Sequence, residues 1–158
     1  MIKFKLLFDI VPPHPGQNIA IIENSQDNLV ELLKEFSQKI DATLHVKALG
    51  KREACNSENL KIKTFSFEQS RYNNFSVNYD FLFLCVSTTE IEDIKTVFRK
   101  IYRVMKNAGY VFMFVEKDEV AKYFELLEDS NYVALNNIDF NETTDVVIAK
   151  KMHGWRKV

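Results

Sequence analysis

The sequence predicts an α/β three-layer sandwich, with a mostly parallel sheet closed by a C-terminal antiparallel hairpin. Three observations carry that reading. Short apolar runs alternate along the chain with segments of helical period. The runs at 79–86 and 110–115 are apolar throughout, as strands covered on both faces are. The last two extended segments are separated by only four turn-forming residues, a length suited to a hairpin.

Residues 2–8 (IKFKLLF) alternate weakly, and Pro12, Pro13, Pro15 and Gly16 then interrupt regular structure, so 1–17 is a lead-in segment. NIAIIE at 18–23 reads as a first buried strand ending in an acid. From Asp27 the apolar residues fall at Leu29, Leu32, Leu33, Phe36 and Ile40, which predicts a helix that Asp27 or Asn28 could cap. TLHVKAL at 43–49 and LKIKTFSF at 60–67 alternate with period two and read as two further strands.

YDFLFLCV at 79–86 is the strongest strand signal and should lie centrally. Thr89 and Glu92 have capping-box spacing, and Ile91, Ile94, Phe98, Ile101 and Met105 mark the buried stripe of a helix expected to stop near Gly109. YVFMFV at 110–115 is the next strand, and Val120, Tyr123, Phe124 and Leu127 predict a helix ending near Asn131. Segments 132–140 and 145–152 complete about seven strands, followed by a basic tail at 153–158.

At 158 residues, 46% of them hydrophobic, the chain has the size of one domain, 1–158. Such a length buries roughly 70% of its unfolded surface, so the core needs no metal or disulfide staple. The four glycines, at 16, 50, 109 and 154, stand far apart, which excludes the P-loop, the dinucleotide fingerprint and the GxSxG elbow. A net charge of -1 argues against nucleic acid as the main partner. No secretory signal or membrane-length apolar run is visible, and Cys55 and Cys85 form no CxxC pair, so a reducing cytoplasm is expected. His14, His45 and His153 are dispersed without ligand spacing, and no metal site is expected.

The stretch from Tyr79 to Val115, YDFLFLCVSTTEIEDIKTVFRKIYRVMKNAGYVFMFV, resembles the class I S-adenosylmethionine-dependent methyltransferases. In that family the fourth strand often opens with an aromatic-Asp pair, here Tyr79 and Asp80. A helix then leads into a turn with arginine, two hydrophobic residues, lysine, proline and two glycines. Arg103 to Gly109 fits that turn in register and length, with Asn107 and Ala108 replacing the proline and first glycine. The resemblance covers about residues 17–153 and implies a trimmed, Rossmann-like methyltransferase fold with S-adenosylmethionine as its cofactor.

By the same resemblance, the cofactor would lie across the ends of the strands at 18–23, 43–49 and 79–86, contacting Glu23, Ser25, Asp27 and Ser87. The family's loop after the first strand carries alternating glycines, which let backbone approach the cofactor. Here Ser25, Asp27 and Leu29 stand at those positions, each carrying a Cβ into the approach path. The ribose-gripping acid usual at the end of the second strand is also missing, with only Glu53, several residues late. The expectation is therefore a degenerate methyltransferase-like domain, its cofactor site lost or non-standard, with a binding or scaffold role. The alternative is an active, divergent transferase acting on an unknown acceptor.

Other candidates have structural explanations. Cys85 reads as a small buried hydrophobe, with no His or Asn nearby in sequence to activate it. Asp80 needs a partner at the strand's entrance, or burial would raise its pKa. Ser87, Thr88 and Thr89 could serve a substrate or cap a helix. Lys95, Arg99, Lys100, Arg103 and Lys106 give one helix a basic side, and Lys150, Lys151, His153, Arg156 and Lys157 make the C-terminus basic. Trp155, beyond the last strand, marks a contact surface for a protein partner or a second copy.

Overall fold

In the computed structural model, which describes Asp9 and residues 14–73 and 77–152, eight strands and three α-helices follow the predicted alternation within 14–152, and Asp9 is helical. The expected extended segment at 2–8 and the tail at 153–158, with Trp155, lie outside the described residues. The elements are β1 (Asn18–Glu23), α1 (Asp27–Lys39), β2 (Thr43–Ala48), β3 (Cys55–Asn56), β4 (Leu60–Thr64) and β5 (Tyr79–Cys85). After a 3-10 turn at Thr88–Glu90 come α2 (Ile94–Val104), β6 (Met105–Glu116), a second turn at Lys117–Glu119, α3 (Val120–Asp129), β7 (Tyr132–Asp139) and β8 (Thr144–Lys151).

The sheet order is β3-β4-β2-β1-β5-β6-β8-β7. Pairs β1 with β2, β2 with β4, β1 with β5 and β5 with β6 are parallel. The terminal hairpin β7–β8 is antiparallel, and β8 pairs antiparallel with β6. This is the three-layer, mostly parallel sheet with a terminal hairpin that the alternation predicts, and β5 is central as expected. Along β1, Ile19 and Ile21 face the layer of α1 with Leu29, Val30 and Leu33. Ala20 and Ile22 face the layer of α2 and α3 with Phe98, Ile101, Tyr123 and Leu127. Alternate side chains of a strand point to opposite faces, so a fully apolar run serves two cores at once.

Several local expectations are corrected. The eighth strand, Cys55–Asn56, is a two-residue antiparallel cover on the edge of β4, too short to leave a periodic signal. The period-two pattern at 60–67 outruns its strand, because β2 ends at Ala48. Beyond Phe65 N–H, which donates to Ala48 O at 2.8 Å, there is no partner left. Phe65 and Phe67 instead pack around Tyr72, whose hydroxyl donates to Phe67 O at 2.8 Å.

Thr89 and Glu92 form no capping box, since α2 begins later and is capped by Asp93, whose Oδ1 accepts from Thr96 N–H. Helix α2 also ends at Val104, not near Gly109. Met105 is buried as predicted but already extended, paired with Tyr79, and Gly109 lies inside β6. Neither Asp27 nor Asn28 caps α1. Its N-cap is Gln26, without a side-chain cap, and the Glu23 side chain takes over that role by accepting Gln26 N–H at 2.9 Å.

Lys150 and Lys151, read from sequence with the basic C-terminus, belong to β8. Lys150 lies over the Tyr110 ring and Lys151 over the Tyr102 ring. No helix among the described residues is long and apolar enough to cross a membrane.

Candidate crevice at the ends of the parallel strands

The strand order reverses between β1 and β5, which are parallel: β1, β2 and β4 step one way across the sheet, and β5 and β6 step the other. Open α/β sheets bind ligands outside the carboxyl ends of strands at such a switch point. The apolar run of β1 delivers Glu23 there, in register with Ala48 of β2 and Cys85 of β5.

Glu23 does not point freely into the crevice. It is 1% exposed, and the Arg52 guanidinium closes on both of its oxygens. Nη2 donates to Oε1 at 2.9 Å and Nε to Oε2 at 3.2 Å. With Gln26 N–H also on Oε1, the carboxylate is satisfied from within the chain. Arg52 reaches across from the β2–β3 connection and also binds Asp27 Oδ1 at 2.8 Å. The hydrogen bond to Glu23, then the charges of both acids, hold the guanidinium pKa above its ordinary value against the opposing effect of burial.

Ser25 takes φ 58°, the left-handed backbone that glycine adopts without strain. The turn has thus kept the shape that the family resemblance implies while losing the residue type. Ala108, at the first glycine position of the later turn, behaves alike with φ 67°. At Gly109 the glycine is retained, because a Cβ there would meet Lys106 O at 2.9 Å and Asp80 O at 3.1 Å. Leu29 is buried in the core against Leu33 and the strands, and it also lines the cavity beside Ser25 and Asp27.

Asn24 draws the surrounding loops together. Its Nδ2 donates to Glu90 Oε1 at 3.4 Å, beyond β5, and a Cβ on Gly50 would stand 2.9 Å from its Oδ1. The loops after β1, β2 and β5 are therefore in contact where the resemblance places a ribose. Glu53, the late acid, is exposed.

Space remains on either side of this closure. On the α1 side, cavities of about 220 and 440 Å3 share Gln26 and Phe114. The first is also lined by Ser87 and Thr88, the second by Ser25 and Asp27. All four predicted site residues thus surround one end of the sheet. Ser87 Oγ is paired with Thr89 Oγ1 at 2.8 Å. On the α2 side, a cavity of about 590 Å3 is lined by Glu68, Glu90, Glu92 and Asp93, with Lys100 as its only cation among the described residues.

Two groups singled out in the sequence have structural surroundings. Burial and the charge of Glu23 push the Cys85 thiol far above its ordinary pKa, so it is no nucleophile at neutral pH. Asp80 sits at the opposite end of β5, where its Oδ2 accepts from Asn18 N–H at 2.9 Å and Lys106 Nζ at 3.2 Å. That is the strand-entrance partner required by the sequence.

Sequence reasoning missed Arg52. The signal was a basic residue in the loop after β2, with two acids, Glu23 and Asp27, close together after β1 for it to pair with. As a test of fit, a bound S-adenosylmethionine would need the backbone of the first loop and an open end of β2. Arg52, Asn24 and the Ser25 side chain stand at those places.

No protein-family model matches the chain, and no curated protein matches it in sequence. The fold is that of the class I S-adenosylmethionine-dependent methyltransferases. The structure is similar to an S-adenosylmethionine-dependent methyltransferase from Aquifex aeolicus (TM-score 0.72, 12% identity, covering 95% of this chain and 89% of that one). It is also similar to phosphoethanolamine N-methyltransferase 2 of Haemonchus contortus in complex with phosphomonomethylethanolamine and S-adenosylhomocysteine (TM-score 0.69, 12% identity, covering 96% of this chain). This chain spans 52% of that enzyme's length. A third similar structure is a methyltransferase of Haloferax volcanii in complex with the Trm112 methyltransferase activator (TM-score 0.71, 11% identity, covering 96% and 89%).

Proposed function

We propose that this chain is a degenerate methyltransferase-fold domain, its cofactor crevice latched shut from within, that works by binding a protein partner and not by methyl transfer. The observation that carries the reading is the Glu23 carboxylate, buried and fully hydrogen-bonded by Arg52 and the Gln26 amide. A ligand that needed this acid would have to displace a bidentate guanidinium from a buried site, and breaking such a pair costs about 3–5 kcal/mol. The Haloferax volcanii relative, solved with an activator protein, supports the idea that this fold offers a docking surface.

A second reading, an active divergent transferase, is favoured by the left-handed backbone kept at Ser25 and Ala108. Here the latch would be a resting state. Glu23, Ser25, Asp27 and Ser87 would then be the contacts of S-adenosylmethionine.

Calorimetric titration with S-adenosylmethionine and S-adenosylhomocysteine separates the two. The degenerate domain gives no binding heat with either, and none is gained in Asp27→Gly, because the Glu23–Arg52 pair survives that change. Micromolar binding by the unaltered protein, lost in Glu23→Ala while the fold is retained, would overturn the degenerate reading.

A further inference from the structure

At the opposite end of the sheet, a cavity of about 300 Å3 lies between the last turns of α2 and residues 70–73 and 78. That volume is at the lower end for small-ligand sites. Its lining includes Arg71, Lys100 and Arg103 with Ser70, Asn73 and Asn78, and no carboxylate. Neither Arg71 nor Arg103 is in an ion pair among the described residues. Lys100 Nζ donates to the carbonyls of Gln69 and Phe67 at 3.0 and 3.4 Å, which fixes its position without neutralising it. Asn78 accepts from Asn73 through Oδ1, so its amide NH2 is left to donate.

Arg103 in the last turn of α2 also complements the helix dipole, and that alone would explain it. It does not explain Arg71, which lies off the helix and lines the same cavity. Arg71 and Arg103 are exposed and add like charge to one side of the cavity, whereas Lys100 also lines the acidic cavity on the α2 side and lies within electrostatic reach of Asp93. A phosphate ester carries about -1.5 to -2 and has three acceptor oxygens. Paired guanidinium forks match it in charge and geometry, whereas a single carboxylate would leave the cluster positive.

We propose that this cavity is a phosphate-binding site for a small phosphorylated molecule. Arg71 and Arg103 clamp the phosphate, Lys100 stands behind it, and Ser70 and Asn78 donate to its remaining oxygens. The site is independent of the crevice and of whether the crevice admits a cofactor.

The test is an amide-resolved NMR titration of the full chain with inorganic phosphate and then pyrophosphate, at ionic strength held constant with sodium chloride. Saturable shifts at Ser70, Asn73, Asn78 and the end of α2 are expected, with affinity reduced about tenfold or more in Arg71→Ala and in Arg103→Ala. Arg71→Lys should recover part of it. Arg71 lies outside regular structure, so its variant decides the matter if Arg103→Ala unfolds. Shifts that never saturate, or that saturate equally in Arg71→Ala, overturn the site. So does a single-stranded RNA that binds through these residues and is not displaced by phosphate, since the patch would then serve a polymer.

Discussion

Arg52 and Glu23, 29 residues apart in sequence, meet in a bidentate ion pair that leaves the carboxylate 1% exposed and the arginine side chain 20% exposed. The pair ties the end of β1 to the connection after β2, and through Asp27 to the first turn of α1.

Removing the arginine strands a buried charge. Arg52→Ala should lower unfolding free energy by about 3–5 kcal/mol, with Gln26 N–H as the carboxylate's remaining donor. Adding Glu23→Gln to that variant should recover a large part of the loss, because the stranded charge is gone. Urea unfolding of the two single variants and the double variant measures the coupling. Additive losses would show that the pair does not act as a unit.

Ala108 is held at φ 67°, where an L-residue pays roughly 1–2 kcal/mol in steric strain. Glycine would relieve that strain but lose about 0.4–1 kcal/mol through greater freedom in the unfolded chain. Ala108→Gly should therefore stabilise the protein by about 0.5–1 kcal/mol, and Ala108→Val should destabilise it. Thermal unfolding of both variants checks the sign.

Burial, then the charges of Lys47 and Lys61, lower the His45 pKa to about 4, so the folded protein holds this imidazole neutral. The unfolded chain binds its proton near pH 6.5, and between the two values it carries the greater number of protons. Stability from this group is complete above pH 6.5 and is lost as pH falls toward 4, amounting to about 3 kcal/mol at most. His45→Phe keeps a ring against Tyr79 and should flatten the stability profile across that window, with little change above pH 7. An unaltered slope in the variant would exclude His45 as its source.

Lys47 is 1% exposed, with its ammonium 5.0 Å from the centre of the Tyr79 ring, and burial lowers its pKa to about 8. At neutral pH both states carry the charge and only the folded one is desolvated. The penalty lessens as pH rises from 8 toward 10.5, where the unfolded chain still binds the proton and the folded one has released it. Lys47→Met should therefore raise stability at pH 7 by about 1 kcal/mol or more, and its advantage should shrink between pH 8 and 10.5. A variant less stable than the unaltered protein at pH 7 would mean that the ring contact outweighs desolvation.

Much of the fold was legible in the chain because burial leaves a periodic trace. NIAIIE and YDFLFLCV are apolar at every position that touches either core, and the stripe through Phe98 and Ile101 repeats with helical spacing. Where a local pattern and a tertiary partner disagreed, the partner prevailed. Met105 continues the helical stripe and Phe67 the strand alternation, yet each leaves its element. Met105 does so because it pairs with Tyr79, and Phe67 because β2 has already ended.

The candidate site was legible only as a location. Glu23, Ser25, Asp27 and Ser87 were found from their places at strand ends, and the structure gathers them there. The contacts around them are made by Arg52, Asn24 and Gly50, which lie on loops without periodicity. The sequence by itself determined the alternation of elements and the two-faced sheet, because hydrophobic burial acts on every residue in a repeating way. Only the tertiary structure decided that Arg52 closes on Glu23 and that Arg71 and Arg103 line one cavity. Ion pairs and cavities depend on side chains that meet across loops, and their spacing along the chain does not record where those loops fold back.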